Sequence, residues 1–408
     1  MGCIATDTNG HRFVDSMRTP AELQSDQAVA TALGRPLDSC LTGRMRVVSA
    51  ISYAAVAARN PTTYKMLQPE VRQATSRVRK PPLNLKLSYD YTNLDSKVPA
   101  GYFQFFAATA ITDSGVVFGI VFEDSPEARG FVGKYVNGMV SVIAPGLPLV
   151  TSTDGRYVGG QTSEPTGFGQ ATIYRGNNIE LVPKIVGQFD SFVTAINVFG
   201  MAIVQTAIDE SNPHSILEVY FNGRRAPIAL DEFSSFTITG LNNFGVAAGT
   251  GFLKSNGRLV AFRYDISSKR STLLPPTPGE TMSGASPTRS AISDIGTVVG
   301  SVNSVGTTEK VGFWGPSNRF TVVRDTLSIP VGGTTIGQNS IGQIFISGPT
   351  TGTTYIYPLK NVEIDVGSLV DTADEGTLAY TVGLNLLGWM IGSTDLGYTY
   401  LITPKLGR

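Results

Sequence analysis

Hydrophobic and polar positions alternate in short runs along most of this chain, and the runs recur. A small residue, an apolar residue, a polar residue, two variable residues and a glycine, followed by apolar residues, form a pattern that appears seven times. The copies are AITDSGVVFG at 110, VTSTDGRYVG at 150, AINVFGMAIV at 195, GLNNFGVAAG at 240, AISDIGTVVG at 291, GQNSIGQIFI at 337 and GLNLLGWMIG at 383. Their glycines are Gly115, Gly155, Gly200, Gly245, Gly296, Gly342 and Gly388, at spacings of 40, 45, 45, 51, 46 and 46 residues. Repetition at this period marks a solenoid, a propeller or an array.

Three more columns keep the same register. Five residues before each glycine stands a small residue: Ala110, Val150, Ala195, Gly240, Ala291, Gly337 and Gly383. Three before it stands a polar one: Thr112, Ser152, Asn197, Asn242, Ser293, Asn339 and Asn385. Some 12 to 20 residues after it comes an aromatic: Tyr135, Tyr174, Tyr220, Tyr264, Trp314, Tyr357 and Tyr400. The polar residue and the glycine predict a tight turn, because Asn, Asp and Ser bond their own backbone and Gly supplies positive φ. Turn text such as VNG or FNG follows the aromatic. Each unit therefore reads as four antiparallel strands in about 45 residues, which is one propeller blade. The small column suits an innermost strand crowded at the axis, and the aromatic column suits packing between blades. No unit holds a 12-residue stretch of helical period, which excludes helical solenoids.

The last unit supplies only three strands. PLNLKLSYDY at 82–91 alternates cleanly, with Leu83, Leu85, Leu87, Tyr89 and Tyr91 on one face. It stands where a ring needs its closing strand, and closure removes free sheet edges. The expectation is an all-β fold, a seven-bladed β-propeller over 83–408, closed by strand 83–92 joining the last blade. Residues 1–82 carry no repeat. They read as a small helical or irregular extension, with short helices around PAELQSDQAVATALG, MRVVSAISYAAVAARN and MLQPEVRQATSRVR.

LNNFGVAAG followed by LVAFRYD resembles the HAF-repeat proteins, whose motif pairs I-N-N-x-G-x-V-V-G with an H-A-F-x-W-like strand. The resemblance covers roughly residues 105–402, although the His of the name is absent from every unit and "AF" survives only at Ala261 and Phe262. It implies the propeller fold and an extracellular bacterial setting, and implies no particular chemistry. ITDSGVVF also resembles a degenerate Asp-box of sialidase propellers. The Ser and Trp of that box are missing throughout, and its Asp is acidic only at Asp113 and Asp294, so these are read as turn residues.

Composition changes the picture mainly by exclusion. Net charge is zero and 16% of residues are charged, so nothing points to nucleic acid. No apolar run reaches the roughly 18 residues of a membrane helix. The two cysteines, Cys3 and Cys40, and the two histidines, His11 and His214, make neither a disulfide framework nor a metal site. No G-x-S-x-G elbow, phosphate loop or H-E-x-x-H motif occurs, so no catalytic set and no cofactor are expected. The carboxylate pairs Glu123–Asp124, Asp209–Glu210 and Asp231–Glu232 lie in strand connections and read as solvated turns. Arg224 and Arg225 read the same way. DTADEG at 371–376 offers Asp371, Asp374 and Glu375 as hard oxygens for a cation. MGCIAT fits a lipidation pattern at Gly2 and Cys3. RMRVVSAISYAAVAARN has the form of a secretory signal ending at Ala57 if translation starts at Met45. The longest insertion, at 274–290, is a candidate binding loop.

The function these features favour is a non-enzymatic scaffold, binding a protein or glycan on a loop face or channel mouth. A polysaccharide-active lyase or hydrolase would instead need two or three acids converging at the axis. A structural assembly component would use residues 1–82 to dock on a neighbour.

Overall fold

The computed structural model describes residues 3–6, 12–15, 87–125, 129–163, 169–208, 214–288, 290–303, 310–325, 335–348, 353–359 and 362–406. The chain divides into two compact units, one holding Met1–Leu85 and Asp294–Gly296 and the other the remainder. In the first, β1 (Cys3–Thr6) and β2 (Arg12–Asp15) pair as an antiparallel hairpin. The helices expected between residues 20 and 79, His11, Cys40 and the Met45 signal lie outside the described residues, as does Gly2.

The second unit is an all-β propeller of four-stranded antiparallel blades. The first blade holds β4 (Tyr102–Ile111), β5 (Val117–Glu123), β6 (Gly130–Val136) and β7 (Met139–Pro145). The second holds β8 (Leu147–Thr151), β9 (Val158–Ser163), β10 (Gly169–Arg175) and β11 (Asn178–Leu181). β12 (Gln188–Ile196), β13 (Ala202–Ile208), β14 (His214–Phe221) and β15 (Arg224–Pro227) make the third. β16 (Phe233–Leu241), β17 (Val246–Leu253), β18 (Leu259–Asp265) and β19 (Arg270–Leu274) make the fourth. β20 (Met282–Ala285), β21 (Val298–Asn303), β22 (Lys310–Trp314) and β23 (Phe320–Asp325) follow, then β24 (Thr335–Gln338), β25 (Ile344–Gly348), β26 (Thr353–Leu359) and β27 (Val362–Asp365). These six sheets use consecutive strands. The remaining sheet is composite: β28 (Leu378–Leu384), β29 (Met390–Thr394) and β30 (Thr399–Leu406) are completed by β3 (Leu87–Asn93), which pairs with β30 from Leu87↔Leu406 to Asn93↔Tyr400.

Local sequence explains the blades. The turn between the third and fourth strands of a blade is a two-residue hairpin at Asn137–Gly138 and again at Asn222–Gly223, with φ of 50° and 85°, then 51° and 76°. Both residues are left-handed, as the twist of a tight hairpin demands. The innermost strands bend at bulges just before the small column, at Ala108/Ala110, Pro148/Val150, Val193/Ala195, Ile238/Gly240 and Thr381/Gly383. A Cβ on Gly337 would lie 2.4 Å from the Phe345 ring, and one on Gly383 would lie 3.0 Å from Ile111 of the first blade. Volume at the crowded axis therefore sets the small column.

The aromatic column lies on the third strands, and its described side chains are buried. Tyr174 donates its hydroxyl to the Pro145 carbonyl of the blade before it (3.1 Å), Tyr220 to Glu180 (2.5 Å), and Trp314 its indole N–H to the Pro275 carbonyl (2.9 Å). Tyr400 differs, sharing a hydrogen bond with Thr381 inside its own blade. Burial raises the Tyr174 hydroxyl above its ordinary pKa, and burial and then the Glu180 carboxylate push Tyr220 up to about 12.

The composite blade is pinned at its seam by one carboxylate. Asp95, just past β3, is buried; its Oδ1 accepts the Phe106 N–H of the first blade (2.6 Å) and its Oδ2 the Thr399 N–H of the last (2.9 Å). Asn93 adds a bond from Nδ2 to Glu375 (2.8 Å).

Candidate binding faces

Antiparallel order sends the turns between first and second strands, and between third and fourth strands, to one face of the ring. Connections between second and third strands, and crossovers to the next blade, go to the other. The two are called here the turn face and the loop face.

On the turn face the polar column is buried. Each of its residues accepts the N–H of a residue just past the turn glycine: Thr112 that of Val116, Ser152 that of Tyr157, Asn197 that of Met201, Asn242 that of Val246, Ser293 that of Thr297, Asn339 that of Gln343 and Asn385 that of Trp389. The four asparagines do more. Their Nδ2 groups donate to the corresponding main-chain carbonyl of the next blade, Asn197 to Asn242 (3.3 Å), Asn242 to Ser293 (3.2 Å), Asn339 to Asn385 (3.2 Å) and Asn385 to Thr112 (3.0 Å). The last of these crosses the closure of the ring. The shorter Ser and Thr side chains have no second polar arm and bond only within their own turns or strands. The turn glycines, Gly115, Gly155, Gly200, Gly245, Gly296, Gly342 and Gly388, all have φ between 71° and 84°. Side chains one position along reach across chords of the ring, Ser340 Oγ to Asp113 (3.4 Å) and Asn243 Nδ2 to Thr153 (3.5 Å). This mouth is narrow and internally bonded.

The loop face is built otherwise. Its connections differ from blade to blade; they carry the exposed Tyr398, Val186 and Leu396, and the strand ends beside them carry the exposed aromatics Phe103, Phe252 and Tyr380. Phe103 begins the innermost strand of the first blade, while Tyr380, Leu396 and Tyr398 belong to the last blade, so four of the six flank the seam. Asp395 lies beside them; the Thr377 amide and hydroxyl (2.8 and 2.9 Å) hold its carboxyl below the usual range.

The candidate chemistry disperses. Asp371 accepts the Ala373 N–H, and Glu375 is turned toward Asn93; among the described residues no three acidic, His or Cys side chains are grouped to hold a metal ion. Glu123 pairs with Arg129 at 3.0 Å, Glu232 accepts the Ser271 hydroxyl, and Asp209–Glu210 lie outside the described residues. The His214 side chain is likewise outside them. In the named innermost strands Asp190 is the one acid, and it accepts Gln161 Nε2 (2.5 Å) and the Gly169 N–H (2.9 Å) of the preceding blade. The convergence of acids that a glycan-cleaving site requires is not formed by those strands. The 274–290 insertion contains the crossover 275–281 and β20. It also leaves the ladder after Ala285, where Ser286 and Thr288 both donate to the Ile336 carbonyl of the next blade.

One arginine departs from the sequence reading, and a second is not singled out by it. Arg225 is not a solvated turn residue. Its guanidinium is buried between blades, paired with Glu218 and donating to Thr206, Gln188 and the Pro183 carbonyl. Arg263, which no motif marks, donates Nη2 to the carbonyls of Trp314 (2.9 Å) and Gly315 (2.8 Å), and burial lowers its pKa to about 10, still protonated at neutral pH. Little in the sequence signals either: Arg225 follows Arg224 in the turn-like NGRRAP, and Arg263 stands in a third strand between Phe262 and Tyr264.

No family model matches the chain, and no curated protein matches it. Solved structures do. The β-propeller domain of the Trilobed protease from Pyrococcus furiosus, described as having an open velcro topology, aligns with TM-score 0.51 and 7% identity over 74% of this chain and 97% of that one. TolB from Acinetobacter baumannii aligns with TM-score 0.38 and 10% identity over 86% of this chain and 71% of that one. An oligogalacturonate lyase in complex with manganese aligns with TM-score 0.49 and 9% identity over 79% and 91%. The alignment with the propeller domain of the Trilobed protease supports the β-propeller fold and shows the fold alone, and that fold does not by itself assign an activity.

Proposed function

We propose that the chain is a seven-bladed, non-enzymatic binding scaffold of the HAF-repeat type, acting outside the cell, whose protein or glycan ligand sits on the loop face. One observation carries the reading: the exposed aromatics Phe103, Tyr380 and Tyr398 gather on that face at the seam, and aromatic side chains are enriched where surfaces bind. The turn face spends its polar groups on its own framework. The innermost strands offer one carboxylate, already bonded.

The test uses the full chain against a panel of neutral and acidic polysaccharides and a cross-linked extract of its native source. Retention of a polysaccharide or protein that Tyr380→Ala and Tyr398→Ala weaken, with no new reducing ends or unsaturated products, is the expected result. Turnover of a polysaccharide that Asp190→Asn abolishes would replace this reading with that of a lyase or hydrolase.

A further inference from the structure

A second surface, distinct from the loop face, lies on the outer rim of the second blade. β11 is the last strand of its sheet, and no strand lies beyond it among the described residues. All four of its residues are exposed. Its register fixes which main-chain groups face out. Val182 N–H bonds the Ala171 carbonyl, and Arg175 faces Asn178 across a two-residue turn. By antiparallel alternation Asn178 and Glu180 turn their amides and carbonyls inward, while Ile179 and Leu181 turn theirs outward. These same two residues present apolar side chains that are 46% and 49% exposed. They lie on the side of the sheet occupied by Tyr174 and so face the first blade, whose outer strand β7 contains no charged residue and begins with Met139, 70% exposed. Glu180 points the opposite way, with Tyr220 donating to its carboxylate.

Natural sheets protect free edges with lysine, proline or bulges. Very short strands and charged side chains serve the same end. β11 has no lysine, proline or bulge, and its protection is its four-residue length and the Glu180 charge, which a basic strand would meet. Free amides and carbonyls in strand geometry are saturated by another extended backbone. Pairing with a second copy about a two-fold axis at Glu180 would set two carboxylates directly opposite one another, which is destabilising. A strand with a basic residue at that place, flanked by apolar residues, meets both the charge and the apolar pair.

We infer that β11 is a docking edge for an extended segment of a partner protein with the pattern apolar–basic–apolar, added as a fifth antiparallel strand over Ile179 and Leu181. This does not depend on what the loop face binds.

The experiment titrates the full-length protein into a fluorescein-labelled acetyl-Ser-Thr-Val-Lys-Val-Thr-Ser-amide and follows anisotropy. Saturable binding tighter than about 1 mM is expected. Ile179→Pro should weaken it at least about tenfold, because it removes an outward N–H while leaving the internal ladder intact. Glu180→Lys should lower affinity for this peptide and raise it for the peptide with Glu in place of Lys. Absence of binding, equal affinity of the Ile179→Pro protein, or no reversal in the charge swap would overturn the inference. So would sedimentation showing a dimer that Ile179→Pro converts to monomer, since the edge would then serve a second copy.

Discussion

The two faces of the ring are made from the same strands and treat their polar groups in opposite ways. On the turn face, seven turns repeat one solution: a short polar side chain caps the turn, and in four of them an asparagine also ties the next blade. On the loop face the connections do not repeat, and aromatic side chains stand in solvent. Regularity on one face holds the ring and leaves the other free to vary, as binding loops on rigid scaffolds do. Asp190 also bonds the preceding blade on the loop-face side, and the larger exception there is Asp95, where the chain's early and late strands meet.

Removing that exception should have the largest effect. Asp95→Ala strands two buried N–H groups, those of Phe106 and Thr399, at a cost of about 2–5 kcal/mol; urea unfolding of the full chain measures it. Asn385→Ala removes the acceptor for the Leu387 and Trp389 amides and the donor to Thr112. About 2–4 kcal/mol should be lost, and loss no greater than for a solvent-exposed Asn→Ala would break the contrast between faces. Gly155→Ala places a Cβ at φ +71°, 2.8 Å from the Thr112 methyl. It should cost about 1–2 kcal/mol, read as a lower urea midpoint.

Smaller effects sharpen the comparison. Ser152→Asn supplies the second polar arm missing between the second and third blades and should stabilise by about 0.5–1 kcal/mol, whereas Phe103→Ala on the loop face should change stability by under about 0.5 kcal/mol. Asp95 also sets a pH dependence. Burial, offset in part by its two backbone donors, raises its pKa above the ordinary carboxylate value. Its folded pKa therefore exceeds its unfolded one. The associated stability is fully present below the unfolded pKa and is lost as pH rises through the folded value. Asp95→Asn should flatten that slope in urea midpoints taken across the acid range.

Legibility in the sequence followed the range of the interaction. The turns could be read because Asn242, its glycine and the amide it caps lie within a few residues. The bond from Asn242 Nδ2 to Ser293, 51 residues away, was not legible, since the spacing shows that the turns are equivalent but not that they touch. The closing strand was readable from its alternation at Tyr89 and Tyr91. Asp95 was not, because LDSK looks like any turn and its partners Phe106 and Thr399 are unrelated in sequence. Arg225 was misread for a similar reason: its burial depends on Glu218, Gln188 and Pro183 arriving from other strands. The exposed loop-face aromatics obey no repeat, so no column marks them.

Hydrogen exchange on the full-length protein, resolved by peptide, tests the contrast most directly. The amides capped by the polar column, those of Val116, Tyr157, Met201, Val246, Gln343 and Trp389, should be protected to near the level of global unfolding, while the amide of a solvent-exposed loop-face residue such as Val186 exchanges far sooner. If the turn-face amides exchanged as fast as those of the loop face, the repeated polar column would not be what holds the ring.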